Sequence, residues 1–76
     1  MTTPAVPIVC DLATLRRLWS EWTFEGCIWN PLEVKMEATI WADHNSGVHT
    51  ATTGVNEAEA AQALAERLIE MGYLPR

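Results

Sequence analysis

The sequence predicts an α+β fold in which all 76 residues form one domain, a small antiparallel sheet with two helices packed on one face. Three observations predict this fold. Apolar residues recur at helical spacing after Asp11, they alternate with polar residues over 32–41, and a second helical pattern follows Asn56. A β-hairpin supplies two strands, and residues 5–9 or 27–30 are the candidates for a third. Pro7 confines the first of these segments to an edge strand or an extended arm.

The first helix is predicted over residues 12–24. Asp11 is a suitable N-cap, because its carboxylate can accept hydrogen bonds from first-turn N–H groups and its charge suits the helix dipole. Spacings of three and four define one apolar stripe, formed by Leu12, Leu15, Leu18, Trp19 and Trp22. Gly26 is the predicted stop.

The β-hairpin is predicted from strict alternation followed by a polar turn. The inner face takes Leu32, Val34, Met36, Ala38 and Ile40, and the outer face takes Glu33, Lys35, Glu37, Thr39 and Trp41. Residues 43–46 form the turn, and residues 48–55 form the return strand. A four-residue loop pairs Ala42 with Gly47, which sets Ile40 beside His49 on the inner face.

The last helix is predicted over residues 57–71. Asn56 is its N-cap, Glu59 occupies the capping-box position, and Gly72 is a left-handed stop. Its buried stripe consists of Ala58, Ala61, Leu64, Ala65, Leu68 and Met71. Its outer side presents Glu57, Glu59, Gln62, Glu66 and Glu70.

Charge excludes several classes of function. The chain carries a net charge of −5, and residues 36–75 hold six acids against one arginine. A nucleic-acid backbone and an anionic membrane both require a basic surface, so direct binding to either is disfavoured.

The start of the chain has no basic segment of a signal peptide, and no apolar run is long enough to span a bilayer. We therefore expect a cytoplasmic protein.

Catalytic and metal chemistry find little support in the residue pattern. Cys10, Cys27, His44 and His49 are potential zinc ligands, but no pair of them has the spacing of a zinc-binding turn. We expect two free thiols and two hairpin histidines, with no catalytic residue, cofactor or metal. A small enzyme or metal protein that uses these four residues is the alternative from another class. Metal content and thiol reactivity of the purified protein separate the two.

The four tryptophans have different predicted environments. Trp19 and Trp22 belong to the core stripe, whereas Trp29 follows no clear pattern. Trp41 lies on the outer face with Glu33 and Glu37. It is either an isolated exposed aromatic residue or an anchor for a partner, since tryptophan is enriched at interface hot spots.

The acidic side of the last helix has two interpretations. A charged helix face is ordinarily a solvated surface, but spaced carboxylates also mimic phosphates and steer encounter with a basic groove. The predicted partner-binding set is therefore Glu33, Glu37, Trp41, Glu57, Glu59, Glu66 and Glu70.

The chain resembles two known families in some of its features. The order of helix, small sheet and closing helix resembles the double-stranded-RNA-binding domain, and residues 47–71 are similar to its second half. That family needs lysines at the start of its second helix, where this chain reads Asn-Glu-Ala-Glu-Ala-Ala over residues 56–61. The resemblance therefore implies a fold but argues against RNA binding.

In length, acidity and lack of a catalytic motif, the chain also looks like the small phage-encoded inhibitors of the anti-CRISPR kind. That resemblance implies a non-enzymatic protein that docks on a basic surface of a CRISPR effector subunit, blocks DNA access and works in the host cell cytoplasm. An antitoxin-like or regulatory partner protein is the alternative among binding modules.

Overall fold

The computed structural model describes residues 7–27 and 38–75. Along the chain, a helix is followed by three strands and then by a second helix, and the strands pair as an antiparallel sheet in their sequence order. The elements are α1 (Leu12–Leu18), β1 (Trp22–Cys27), β2 (Ala38–His44), β3 (His49–Gly54) and α2 (Glu57–Glu70). The predicted α+β class is confirmed. The third strand is β1, which shares only Cys27 with the candidate segment 27–30, and the described residues of the candidate segment 5–9 form no strand.

The predicted first helix over residues 12–24 is wrong in its second half. Its start is as expected, since Asp11 Oδ1 accepts a hydrogen bond from Thr14 N at 2.7 Å. The helix ends at Leu18, and Trp22 and Phe24 then point into the core while Thr23 lies exposed between them. Trp22 fits helical spacing from Leu18 and also strand alternation with Phe24, so the first half of the pattern concealed the change of period.

The predicted hairpin register is also wrong. β2 continues to His44, whose backbone N–H donates to Val48 O at 2.8 Å, and Gly47 N–H donates back to His44 O at 2.9 Å. The result is a three-residue loop that ends in a left-handed glycine, with Gly47 at φ +98°. Trp41 therefore pairs with Ala51 instead of Val48. β3 is thus displaced by three residues from its predicted register. Because three is an odd number, the side chains of β3 predicted to point inward point outward, and the reverse.

The closing helix matches its prediction to within one residue. Asn56 Oδ1 accepts from Glu59 N at 2.9 Å, which confirms the N-cap. At the other end Gly72 has φ +96°, and Tyr73 N–H donates to Leu68 O at 2.9 Å. These contacts form the Schellman motif that the Gly72 position predicts.

The core lies between the sheet and the two helices. Contacts join α2 to β3 and β2, and α1 to β1, so both helices cover the inner face of the sheet. Trp19 and Trp22 are 3% and 5% exposed, as predicted for core residues. The other buried apolar residues are Val9, Leu15, Phe24, Ala38, Ile40, Ala42, Ala60, Ala61, Leu64, Ala65 and Leu68. Ala60 thus replaces the predicted Ala58, and Met71 is exposed.

The N-terminal segment is an extended arm over its described residues. Gln62 Oε1 accepts from Val9 N at 2.8 Å, and Gln62 Nε2 donates to Pro7 O at 3.1 Å. One side-chain amide therefore bonds the arm as a neighbouring strand would. The prediction that Gln62 lies on the outer side of α2 is wrong, because this pairing holds it against the arm.

Candidate partner-binding surfaces

The sheet face opposite the helices carries an exposed tryptophan at its centre. Trp41 on β2 lies in register with Glu25 on β1 and Ala51 on β3. Two residues further along β2, Asp43 has His49 as its partner on β3. Trp41 is 43% exposed, and we call this surface the Trp41 face. The predicted outward orientation of Trp41 is confirmed.

A shallow hollow of about 490 Å³ lies on the Trp41 face. Its lining consists of Glu25, Trp41, Asp43, His49, Thr50 and Ala51. Ala51 contributes only a methyl group beside the indole, which keeps that side of the ring accessible. The described residues that point outward from the sheet include Glu25 and Asp43 but no lysine or arginine. The hollow therefore combines an aromatic wall with negative charge.

The second surface is an acidic stripe on α2. Glu59, Glu66 and Glu70 are exposed and follow one another at intervals of seven and four residues, so they share one side of the helix. Their backbone positions extend over about 16.5 Å along the helix axis at 1.5 Å per residue. Glu57 differs, because it precedes buried Ala61 by one helical turn and is itself half-buried.

These two surfaces face away from each other. The helix α2 packs on the inner face of the sheet, whereas Trp41 projects from the outer face. The predicted partner-binding set is thus divided between two sides of the protein. Glu33 and Glu37, like Trp29, lie outside the described residues.

Three of the four cysteine and histidine candidates, Cys10, His44 and His49, lie on different elements or segments of the fold, and the side chain of Cys27 lies outside the described part of the structure. Cys10 is an exposed free thiol at the start of α1, and His49 lies on the Trp41 face. His44 Nε2 lies 3.5 Å from a Glu21 carboxylate oxygen, and Ser46 N–H donates to His44 Nδ1 at 3.1 Å. Over residues 7–27 and 38–75, no three side chains of metal-ligating type come together.

An aromatic cluster further restrains His44. Its ring centroid lies 4.9 Å from that of Trp22 and 5.2 Å from that of Tyr73. Trp19 Nε1 donates to Tyr73 O at 2.9 Å, and this bond ties the C-terminal segment to the C-cap residue of α1. The contacts of His44 are therefore those of a residue that packs the end of the sheet.

The carboxylate of Asp11, the N-cap of α1, has a lowered pKa. Hydrogen bonds from Thr14, first from its side chain and then from its backbone N–H, hold the pKa of Asp11 below its usual value of 3.8. A carboxylate that is held in its charged form at a helix N-terminus stabilises the helix, because its charge suits the helix dipole.

Sequence reasoning missed Glu25, Asp43 and His49 as neighbours of Trp41. Glu25 follows the end of the predicted first helix and precedes its predicted stop at Gly26, so no strand was expected there. Asp43 belonged to the predicted turn, and the predicted register turned His49 inward. The available signal was the alternation from Trp22 to Glu25, which is strand-like once the preceding helix is ended at Leu18.

Comparisons of this chain with protein-family models, with curated proteins and with solved structures find no match. In the part of the chain that the structure describes, no helix has the length and apolar character needed to traverse a bilayer.

Proposed function

We propose that this protein is a non-enzymatic module that binds a basic surface of a partner protein. The observation that carries the proposal is the exposed Trp41 that shares an open hollow with Glu25 and Asp43. A tryptophan face attracts lysine and arginine side chains through cation–π interaction, and nearby carboxylates add charge complementarity. Tryptophan is also among the residues most enriched at interface hot spots.

The acidic stripe on α2 supports a different role in the same binding event. Three carboxylates over about 16.5 Å are sparser than phosphates, because one strand of B-DNA advances about 3.4 Å per phosphate. The stripe is therefore a poor replica of a nucleic-acid backbone. Its charge suits long-range steering toward a basic partner, which raises the association rate.

The type of partner follows from the charges. A protein surface that is basic enough to attract this chain is typically one that holds nucleic acid. The module would then act as an inhibitor that occupies this surface and blocks access of DNA, as in the anti-CRISPR class that the sequence resembles. A CRISPR effector subunit is the partner that this proposal names.

Binding kinetics to an effector complex test this proposal. Trp41→Ala should weaken binding by at least about 2 kcal/mol, close to thirtyfold, mainly through faster dissociation. Glu59→Lys with Glu66→Lys should instead slow association and weaken its salt dependence. Ile8→Ala is the matched control, since Ile8 is an exposed aliphatic residue that belongs to neither surface.

Competition with nucleic acid provides the second arm. Excess duplex DNA should displace the wild-type protein if both occupy one basic surface. Binding that is equal at high salt and unaffected by DNA would contradict the proposal and leave the acidic stripe as a solvated surface.

A further inference from the structure

We propose that the free edge of β3 accepts an extended strand of the partner, and that a lysine or arginine of this strand reaches the indole of Trp41. The inference rests on the proposed function and specifies how the partner binds. It follows from a difference between the two edges of the sheet.

The edge at β1 is covered by the chain around α1. In an antiparallel sheet the backbone groups of alternate residues point away from the neighbouring strand. On β1 these include Trp22 N–H, which donates to Trp19 O at 3.0 Å, and Phe24 O, which accepts from Arg16 Nη2 at 3.1 Å. A strand approaching β1 would have to displace both contacts.

The edge at β3 has no such cover among the described residues. The bond from His44 N–H to Val48 O determines which residues of β3 form hydrogen bonds to β2. Alternate residues from Val48 onward do so, and Thr50 and Thr52 therefore direct their backbone groups toward β2. The N–H and C=O groups of the alternate positions, His49, Ala51 and Thr53, therefore point outward. Within residues 7–27 and 38–75, no hydrogen bond satisfies them.

The sequence of β3 does nothing to block strand addition. Natural sheet edges are protected by proline, by lysine or by bulges, whereas β3 reads His-Thr-Ala-Thr-Thr-Gly without proline or a permanently charged residue. An added strand would gain main-chain hydrogen bonds from its backbone and specificity from alternate side chains.

The hollow beside this edge determines which strand fits. Outward side chains of an added strand would lie next to Ala51, with Trp41 two strands away at about 10 Å. A long lysine or arginine can cross the small Ala51 and meet Trp41 in the hollow that Glu25 and Asp43 also line. A second copy of this chain is disfavoured as the occupant, because each copy carries a net charge of −5.

Two peptides of identical side chains test strand addition. The first alternates threonine and arginine over nine residues, and the second is N-methylated along its backbone so that it cannot pair with a strand. We expect the first to bind, to slow hydrogen exchange of the His49, Ala51 and Thr53 amides at least tenfold, and to bind at least tenfold more tightly than the second.

A pair of variants at one position tests the same idea from the protein side. Ala51→Pro removes an outward N–H without breaking a bond to β2, and Ala51→Ser keeps it. Thermal melting establishes that both variants fold. We expect Ala51→Pro alone to lose binding of the unmethylated peptide.

The contradicting outcomes are distinct. Equal binding of both peptides would overturn strand addition while leaving the cation site at Trp41 intact. Binding of neither peptide at millimolar concentration would also overturn it, and the kinetics with the effector would still test the proposed function. A dimer that Ala51→Pro dissociates would show that a second copy occupies the edge, contrary to the proposal.

Discussion

Gly54→Ala is expected to be the most destabilising of the conservative substitutions in this fold. Gly54 ends β3 on the inner face, directly beneath the first turn of α2. A Cβ atom built there would lie 2.6 Å from Ala60 N and 2.9 Å from Glu59 Cβ. Both atoms belong to a capped and packed helix, so the contact is relieved only if α2 moves away from the sheet.

The cost of this displacement can be estimated. Overpacking a core typically costs about 1–3 kcal/mol, and a backbone obstacle places Gly54→Ala near the upper value. A domain of this size has only about 3–5 kcal/mol of stability from its core. At about 4–8 °C per kcal/mol, the Tm should fall by at least about 12 °C.

Gly26→Ala is the matched control. Its added Cβ would lie 2.9 Å from Leu12 Cδ1, the end of a flexible side chain that can rotate away. We expect a loss below about 1 kcal/mol, measured with Gly54→Ala by circular dichroism on heating. Equal shifts in Tm for the two variants would refute the account, because α2 would then not rest on Gly54.

The remaining predictions concern local structure. Asn56→Ala should lower the free energy of unfolding in urea by about 1 kcal/mol, because α2 loses its N-cap. Gly72→Ala should lower it by about 1–2 kcal/mol, because an alanine is forced into a left-handed conformation. Unchanged urea midpoints would be inconsistent with the observed ends of α2. Because Thr14 lowers the pKa of Asp11, the stability that the Asp11 carboxylate gives to the folded protein should be complete above about pH 4. This contribution should be lost as pH falls through the lowered pKa. The stability difference between wild type and Asp11→Asn should follow that course in acid titration, and a difference independent of pH would contradict it. Cys10 should react with a thiol reagent in the native protein, and resistance to modification would argue against its exposure.

The closing helix could be predicted because its signals are local. The N-cap at Asn56, the apolar spacing and the glycine at position 72 all act within a few residues of one another. No alternative element competes for the same segment. Local consistency of this kind makes a sequence pattern decisive.

The first helix and the hairpin could not be predicted in full, because each depends on partners distant in sequence. Trp22 satisfies two periods, and only pairing with β2 decides in favour of a strand. The turn that contains Gly47 is compatible with two registers of the hairpin. The inward side chains of β3 must also be small enough for α2 to pack on them. Gly54 meets this demand only in the observed register.

The candidate site was predicted only in part for the same reason. The outward position of Trp41 follows from alternation within one strand, which is local. Its neighbours Glu25 and Ala51 come from two other strands, so their approach depends on register. The division between the Trp41 face and the acidic stripe follows from the side of the sheet on which α2 packs.

An NMR titration with a basic peptide tests the central claim, binding of cationic side chains at Trp41, most directly. The four tryptophans give four indole N–H signals, and Trp41→Phe assigns the one that matters. Addition of the alternating threonine–arginine peptide should shift the Trp41 signal in a saturable, salt-dependent manner and leave those of buried Trp19 and Trp22 in place. A Trp41 signal that stays fixed while amides of Glu59, Glu66 and Glu70 shift would contradict the account.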